Sequence, residues 1–580
     1  MTGTPTRSRR ARLAALAATA GVVLAGCTGG DDQAEETSTP EGPEGELTLL
    51  AQGPVDAWDP QRIVDRRTAG VASRLWMRTL TAYPPAEDAA GQRELTGDLA
   101  TDTGTPNEDL TEWSFTLREG LTWQDGSPIT CGDVRYGVSR AFAEDTGSGG
   151  YAVTYLDIPK RADGTSTYPG PYGSEGRSSD ARKLIADAVE CDGQTVTFNL
   201  GEPVATFDEI VSVPEFAPYE EAQDEQGDSA HLAFSSGPYM LEEDWTPSDG
   251  GTWVRNPEWS EGDDPLREAG PREIVHREGL EPEDALAALA EDDGTRSLML
   301  DPLPPALADQ REQLGQDARS VTGDGQLVEY LAPNMESDAF AKQDVRRAFA
   351  LSTDRRGYVE ALGGRDAGGA AWSLLPEILP SAHDAVMDAG PGGDPERAQE
   401  LLTEAEEDEP VAVTVAYRSD TEGMDEAMQA LADGWEAGGF EVTLEPVETD
   451  YYEQVGARRT ADERDVVWAN WGHDYPSAAT VLPPLFDNRV NLTSTSLGRN
   501  YGQVADTELN EAMDEAGETR GDSARAEAWT EVDTELLRDG AYVPLRQTQV
   551  TYVAGSEVTG LGINAAYGGV PDLGSVGVRR

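Results

Sequence analysis

Residues 270–301, GPREIVHREGLEPEDALAALAEDDGTRSLMLD, read as strand, helix, strand, at a length that fits a compact crossover unit. A second run repeats the alternation. VAVTVAYRS at 411–419 reads as a strand, and Met424, Met428, Leu431 and Trp435 recur at helical spacing. FEVTLEPVE at 440–448 then reads as a strand again. Strands that alternate with helices specify an α/β chain. GELTLLAQGP opens the folded part as a strand, and residues 68–82 read as a helix. Trp113, Phe115 and Leu117 alternate on one face, as do Val196, Phe198 and Leu200, so both segments read as half-buried strands. Asp125-Gly126 supplies a turn, after which Val134, Val138 and Phe142 mark a helix with Asp133 as a candidate cap. Residues 144–180, rich in Gly, Tyr, Ser and Pro, read as a long surface excursion. Val345, Phe349, Ser352, Val359 and Leu362 place one helical stretch, Asp394 starts another, and a further helix covers 524–537. The remaining strands lie in DGQTVTFNL, FSSGPYMLEEDW, GTWVRNPEW and YVPLRQTQVTYVAG, and no repeat of fixed period is present.

A chain of 580 residues exceeds the size at which one core keeps growing, so two lobes are expected. Lys and Arg number 44 against 109 Asp and Glu, a net charge of −65 spread along the whole chain. Such a surface repels phosphates and excludes nucleic acid as a partner. It suits a salty exterior, where screening relieves self-repulsion.

Arg7, Arg9, Arg10 and Arg12 precede LAALAATAGVVLAG at 13–26, a positive patch and then a short apolar run. That is the pattern of an export signal, and about 20 apolar residues would be needed to span a membrane as a helix. Leu24-Ala25-Gly26-Cys27 resembles the bacterial lipobox, which implies that residues 1–26 are removed and Cys27 carries lipid. Durable attachment takes more than one acyl chain, each buried methylene contributing about 0.8 kcal/mol. Residues 27–45, acidic and rich in Gly and Pro, read as a flexible tether. With Cys27 lipidated, Cys131 and Cys191 remain as a candidate disulfide, the first just after one half-buried strand and the second just before another. Two separately buried thiols are the alternative. A metal there is disfavoured by the lack of a nearby histidine.

Motifs for catalysis are missing. His231, His276, His383 and His473 are dispersed, and HREG at 276–279 is not a zinc helix. No Gly-rich loop ends in Gly-Lys-Ser or Gly-Lys-Thr, and no Gly-x-Ser-x-Gly elbow occurs. The serines of FSSGP at 234–238 read as a turn before a strand. Neither a catalytic residue, a metal nor a cofactor is expected.

WSFTLREGLTWQDGSPITCGDVRYGVSRAF at 113–142, FSSGPY at 234–239, VRRAFALSTDR at 345–355, PERAQELLTEA at 395–405 and NWGHDYPSAATVL at 470–482 occur in one order. In that order they resemble the large solute-binding lipoproteins of ABC importers, the family that includes oligopeptide- and dipeptide-binding proteins. The resemblance runs from about residue 46 to near 570, and the 144–180 insertion and two cysteines look like those of relatives from high-GC Gram-positive bacteria. It implies a two-lobed, periplasmic-binding-protein-like α/β fold of the large cluster, with an extra subdomain in the first lobe. The first lobe would span 46–300 with its subdomain at about 90–230, the second 301–545, and residues 546–580 would return to the first. It implies a monomeric receptor, lipid-anchored to the outer face of the cell membrane through Cys27, that closes on a peptide and delivers it to permease subunits. On the matching positions Asp474 would hold the peptide's α-ammonium, Trp471 would wall the pocket, and Tyr475 would be a further wall. Ser477, Ala478 and Ala479 depart from the more polar sequence of many members. Alternatives are a receptor for an oligosaccharide or metal chelate, a receptor that signals instead of feeding a permease, and a secreted lipid-anchored hydrolase.

Overall fold

A computed structural model describes residues 45–146, 150–161, 164–226, 230–290, 295–313, 319–383, 386, 389–407 and 410–579. The signal-like start and Cys27 lie outside these residues. The architecture is a two-lobed α/β fold built on one eleven-stranded sheet. In the first lobe the strand Glu46–Leu50 lies parallel between Glu273–Arg277 and Ser297–Met299, and the helix Pro282–Leu289 links those two flanking strands. This is the crossover that the 270–301 pattern predicts. In the second lobe Val411–Arg418 pairs in parallel with Phe440–Val447 across the helix Met424–Ala437. That helix buries Met424, Met428, Leu431 and Trp435 in the second-lobe core.

Two long strands belong to both lobes. Arg319–Pro333 and Val543–Ala554 run antiparallel from Arg319 opposite Ala554 to Leu331 opposite Val543. At one end the neighbouring strand is Ser297–Met299 of the first lobe, and at the other it is Val466–Trp471 of the second. The register shifts between Asp324 and Val328, where the strands pass between lobes. Side chains satisfy the backbone groups freed there: Gln547 donates to the Gly325 carbonyl at 2.7 Å and Thr548 to the Leu327 carbonyl at 2.9 Å. Leu303 and Leu307 pack with Leu50, Met299 and Val553, so the chain beyond Pro302 keeps to the first-lobe core before it crosses.

The first lobe carries a separate aromatic core around Trp113, Phe115, Phe198, Phe207 and Phe216. Here Glu112–Thr116 pairs antiparallel with Thr195–Asn199, placing Trp113 opposite Phe198 and Phe115 opposite Val196. Cys131, the first residue of the helix Cys131–Arg140, is disulfide-bonded to Cys191 on the edge strand Val189–Asp192. The cap of that helix is Thr130, and Asp133 completes a capping box by accepting from the Thr130 N–H at 2.7 Å.

Three segments differ from the periodicity reading. The helix expected over 68–82 is Arg66–Leu75, because the Ser236 N–H captures the Trp76 carbonyl at 2.9 Å. The single helix expected around 345–362 is two, Gln343–Leu351 and Arg355–Ala361. The hydroxyls of Ser352 and Thr353 donate back to Ala348 and Phe349, and Asp354 starts the second helix by accepting from the Gly357 N–H at 3.0 Å. The 144–180 excursion is partly core: it holds the helix Tyr151–Tyr155 and buries Ala152, Leu156 and Tyr168.

Candidate functional site

The strand Val466–Trp471 ends at the mouth of the cleft, and the loop that follows is held by one buried hydroxyl. Thr480 is 1% exposed; its Oγ1 accepts from the Asp474 N–H at 3.1 Å and donates to the Ser477 carbonyl at 2.9 Å. The indole N–H of half-buried Trp471 donates to the Thr480 carbonyl at 2.9 Å. Between these ties Tyr475 turns the other way. It is 2% exposed, packed in the first-lobe aromatic core with its ring 6.0 Å from that of Tyr151. Tyr475 therefore braces the loop against the first lobe and does not border the cavity beside Asp474.

Asp474 is exposed to that cavity and already has two partners from the first lobe. Arg66 forms an ion pair with its Oδ1 and donates to its backbone carbonyl at 3.2 Å, and the Tyr151 hydroxyl donates to its Oδ2. Arg66 is the first residue of its helix, aimed across the cleft by the Asp65 cap, which accepts from the Thr68 N–H at 2.9 Å. Burial pulls the Arg66 guanidinium below its ordinary pKa, with Asp474 the leading opposing charge. Burial, then the Asp474 carboxylate, pushes the Tyr151 phenol well above its ordinary value, so it stays a donor. His473, next to Asp474, is held near a pKa of about 3 by burial and then by Arg66, which leaves it uncharged.

The cavity has a volume of about 510 Å³, within the range of small-solute sites. Val64, Asp65 and Arg66 line it from the first lobe, Gln326 and Leu327 from the crossing strand, and Tyr452, Asn470, Trp471, Leu485, Arg499 and Tyr501 from the second. Tyr452 donates to the Asn470 amide oxygen at 2.8 Å and stacks on Tyr501 with ring centres 6.1 Å apart. The Arg499 guanidinium carbon lies 4.8 Å from the Trp471 ring centre. Among the described residues three large apolar side chains stand exposed, Val64 at 75%, Tyr452 at 38% and Val490 at 72%. Two of them, Val64 and Tyr452, line this cavity.

Of the site residues expected from the sequence, Trp471 and Asp474 border the cavity and Tyr475 stands behind it. Arg66, Tyr151, Tyr452, Arg499 and Tyr501 were not singled out. One local signal existed for Arg66: a cation in the first turn opposes the helix macrodipole and so needs a partner elsewhere.

The chain matches the profile of the bacterial extracellular solute-binding proteins, family 5 (middle region), over residues 94–492. It is similar in structure to clavulanic acid biosynthesis oligopeptide binding protein 2, with 27% identity, 93% of this chain and 96% of that one covered, and a TM-score of 0.82. The unliganded open form of the periplasmic murein tripeptide binding protein MppA shares the fold at 19% identity, coverage of 92% and 97%, and a TM-score of 0.71. In sequence it is 23% identical to the probable D,D-dipeptide-binding periplasmic protein DdpA of Escherichia coli (strain K12), over 87% of this chain and 89% of that one. The two lobes joined by crossing strands, the cavity between them and the family match over 94–492 agree: this chain belongs to the family 5 bacterial extracellular solute-binding proteins, which bind a solute and catalyse no reaction.

Proposed function

We propose that this protein is the receptor of an ABC importer that captures short peptides between its lobes and hands them to membrane permease subunits. The carrying observation is Asp474, a carboxylate on a second-lobe loop that faces first-lobe groups across a cavity of about 510 Å³. A peptide's α-ammonium suits such a group, because a charge-assisted bond is strong in a closed cleft and an unpaired buried ammonium is costly. A carboxylate offers about four acceptor positions, so Arg66 and Tyr151 leave room for a third donor. Trp471 walls the same space. The names of the similar proteins, which bind oligopeptides, a tripeptide and a D,D-dipeptide, support this reading. Transport requires the solute to favour the closed state, since equal affinity for open and closed shifts nothing.

The test is calorimetry with a panel of di- to pentapeptides, together with mass spectrometry of whatever molecule is retained through purification. A retained or titrating peptide is expected. A second reading, an oligosaccharide receptor, is favoured by the aromatic surface of Trp471, Tyr452 and Tyr501; sugar retained with no peptide binding would establish it instead.

The receptor's place is the outer face of the membrane, tethered through lipid on Cys27 and the 27–45 segment. Cys27→Ser is expected to move the protein from the membrane fraction to the soluble one. A mutant still pelleting with membranes would end the lipid reading.

A further inference from the structure

Four carboxyl or guanidinium side chains border the cavity: Asp65, Arg66, Asp474 and Arg499. Three of them are committed. Asp474 is paired with Arg66, and Asp65 caps the helix Arg66–Leu75 with its carboxylate 3.7 Å from Arg67. Arg499 stands apart. Its backbone N–H is bound to Asn491 at 2.9 Å and its guanidinium lies over the face of Trp471, near enough to Tyr501 and Tyr330 to act on their phenols, but no carboxylate of the described residues forms an ion pair with it. The chain has 109 acids against 44 bases, so acids to neutralise this arginine were plentiful. The cavity's uncommitted charge is thus positive, although the molecule is strongly negative.

We propose that the principal ionic anchor of the solute is Arg499, stacked on Trp471 and holding a carboxylate, with Asp474 a secondary contact because Arg66 already competes for it. The inference rests on the peptide reading for its form, the carboxylate being the peptide's free C-terminus. Physically, the indole face fixes the guanidinium without using any of its N–H donors, which stay free to fork onto a carboxylate. The overall negative field does not oppose such a solute, because a zwitterion has no net charge to repel and salt screens what remains. The aromatic pair Tyr452 and Tyr501 lies beside this anchor, so apolar side chains near the solute's acidic end gain cover there.

The experiment is calorimetry on one tripeptide in three forms, free, N-acetylated and C-amidated, with wild-type protein, Arg499→Gln and Arg499→Lys. Charge-assisted hydrogen bonds are the strong ones, so amidation should weaken wild-type binding about tenfold or more, and acetylation less than about threefold. Arg499→Gln should bind the free and amidated forms alike, and Arg499→Lys should restore part of the difference. Acetylation costing as much as amidation would overturn the proposal, and so would an amidation penalty that survives in Arg499→Gln. If none of the three forms binds wild-type protein, the peptide reading fails. The anchor is then judged by thermal shift with N-acetylated amino acids and sugar acids, which carry a carboxylate and no ammonium. Stabilisation of the wild type that is lost in Arg499→Gln supports Arg499, and equal shifts, or none in either protein, reject it.

Discussion

Arg66 starts a helix with a positive charge at the end where the macrodipole is already positive, and the next residue, Arg67, adds another. Arg67 is compensated by Asp301 at 2.7 Å and Arg66 by Asp474 across the cleft. On the peptide reading proposed above, a solute's ammonium and Arg66 would compete for the one Asp474 carboxylate. Arg66→Gln is therefore expected to tighten binding of a free-amine tripeptide about threefold to tenfold, and to enlarge the penalty of N-acetylation. Asp474→Ala is expected to weaken binding of the free-amine tripeptide only about twofold to threefold, since it removes the secondary contact, and to abolish the difference between the free and N-acetylated forms. Calorimetry on both variants checks this, and weaker binding by Arg66→Gln would make Arg66 a solute contact instead of a rival. Asp474 was singled out through the resemblance of its Trp-x-x-Asp segment to the family, and the structure places it at the cavity. Arg66 and Tyr151 were not, because their role depends on a loop more than 300 positions away, at separations of 408 and 323.

Elements whose faces repeat at a fixed period were legible: the Met424–Trp435 stripe and the Trp113/Phe115 and Val196/Phe198 faces are buried as their spacing requires. Element ends were not, because distant groups set them. The Ser236 N–H stops the first helix at Leu75, and no local residue announces that. The 144–180 segment was misjudged for a related reason. Its Gly, Ser and Pro content argues for a loop, yet the Glu215 carboxylate accepts from the Tyr151 and Ala152 N–H groups and fixes the start of its helix. That helix aims Tyr151 at Asp474. The disulfide belongs to this scale too. It ties the start of the Cys131–Arg140 helix to an edge strand with a sequence separation of 60. Closing a loop of that length stabilises by roughly 4 kcal/mol when chain entropy alone is counted. A Cys131→Ala/Cys191→Ala double variant should lose about 2–4 kcal/mol in urea unfolding. An unchanged midpoint and slope would mean that the bridge constrains little.

At the scale of the whole molecule, the lobes meet at several points besides the cavity. Arg520 donates to the Asn107 carbonyl at 3.0 Å, Arg93 to the Ile378 carbonyl at 3.3 Å, and Gly517 accepts from the Ala205 N–H at 3.3 Å. That two lobes exist was expected from length, and the family resemblance implied a chain that returns to the first lobe; in the structure the crossing is marked by a register shift in two continuous strands, the first of which carries the polar, glycine-containing run Gly323-Asp324-Gly325-Gln326 at that point. Near these contacts Glu209 lies 3.6 Å from Arg525, with one carboxylate oxygen buried and unpaired. Burial, then the neighbouring Asp208, pushes the Glu209 carboxyl up to about 8, and Arg525 opposes the shift without cancelling it. The folded protein therefore keeps a proton that the unfolded chain releases near pH 4.5, so stability is lost as pH rises from there towards 8. His276 and His473 act in the opposite direction, since both are held near a pKa of about 3 and stability is lost as pH falls below 6.5. Their contribution is common to wild type and to a Glu209 variant, so it cancels in a comparison of the two. Glu209→Gln should match the wild type near pH 4 and unfold at a clearly higher temperature at pH 8.5, read by thermal denaturation across the range. Parallel curves for the two proteins would show that Glu209 is ionised in the folded state at neutral pH, and that its neighbours, not its protonation, carry the pH dependence of this contact between lobes.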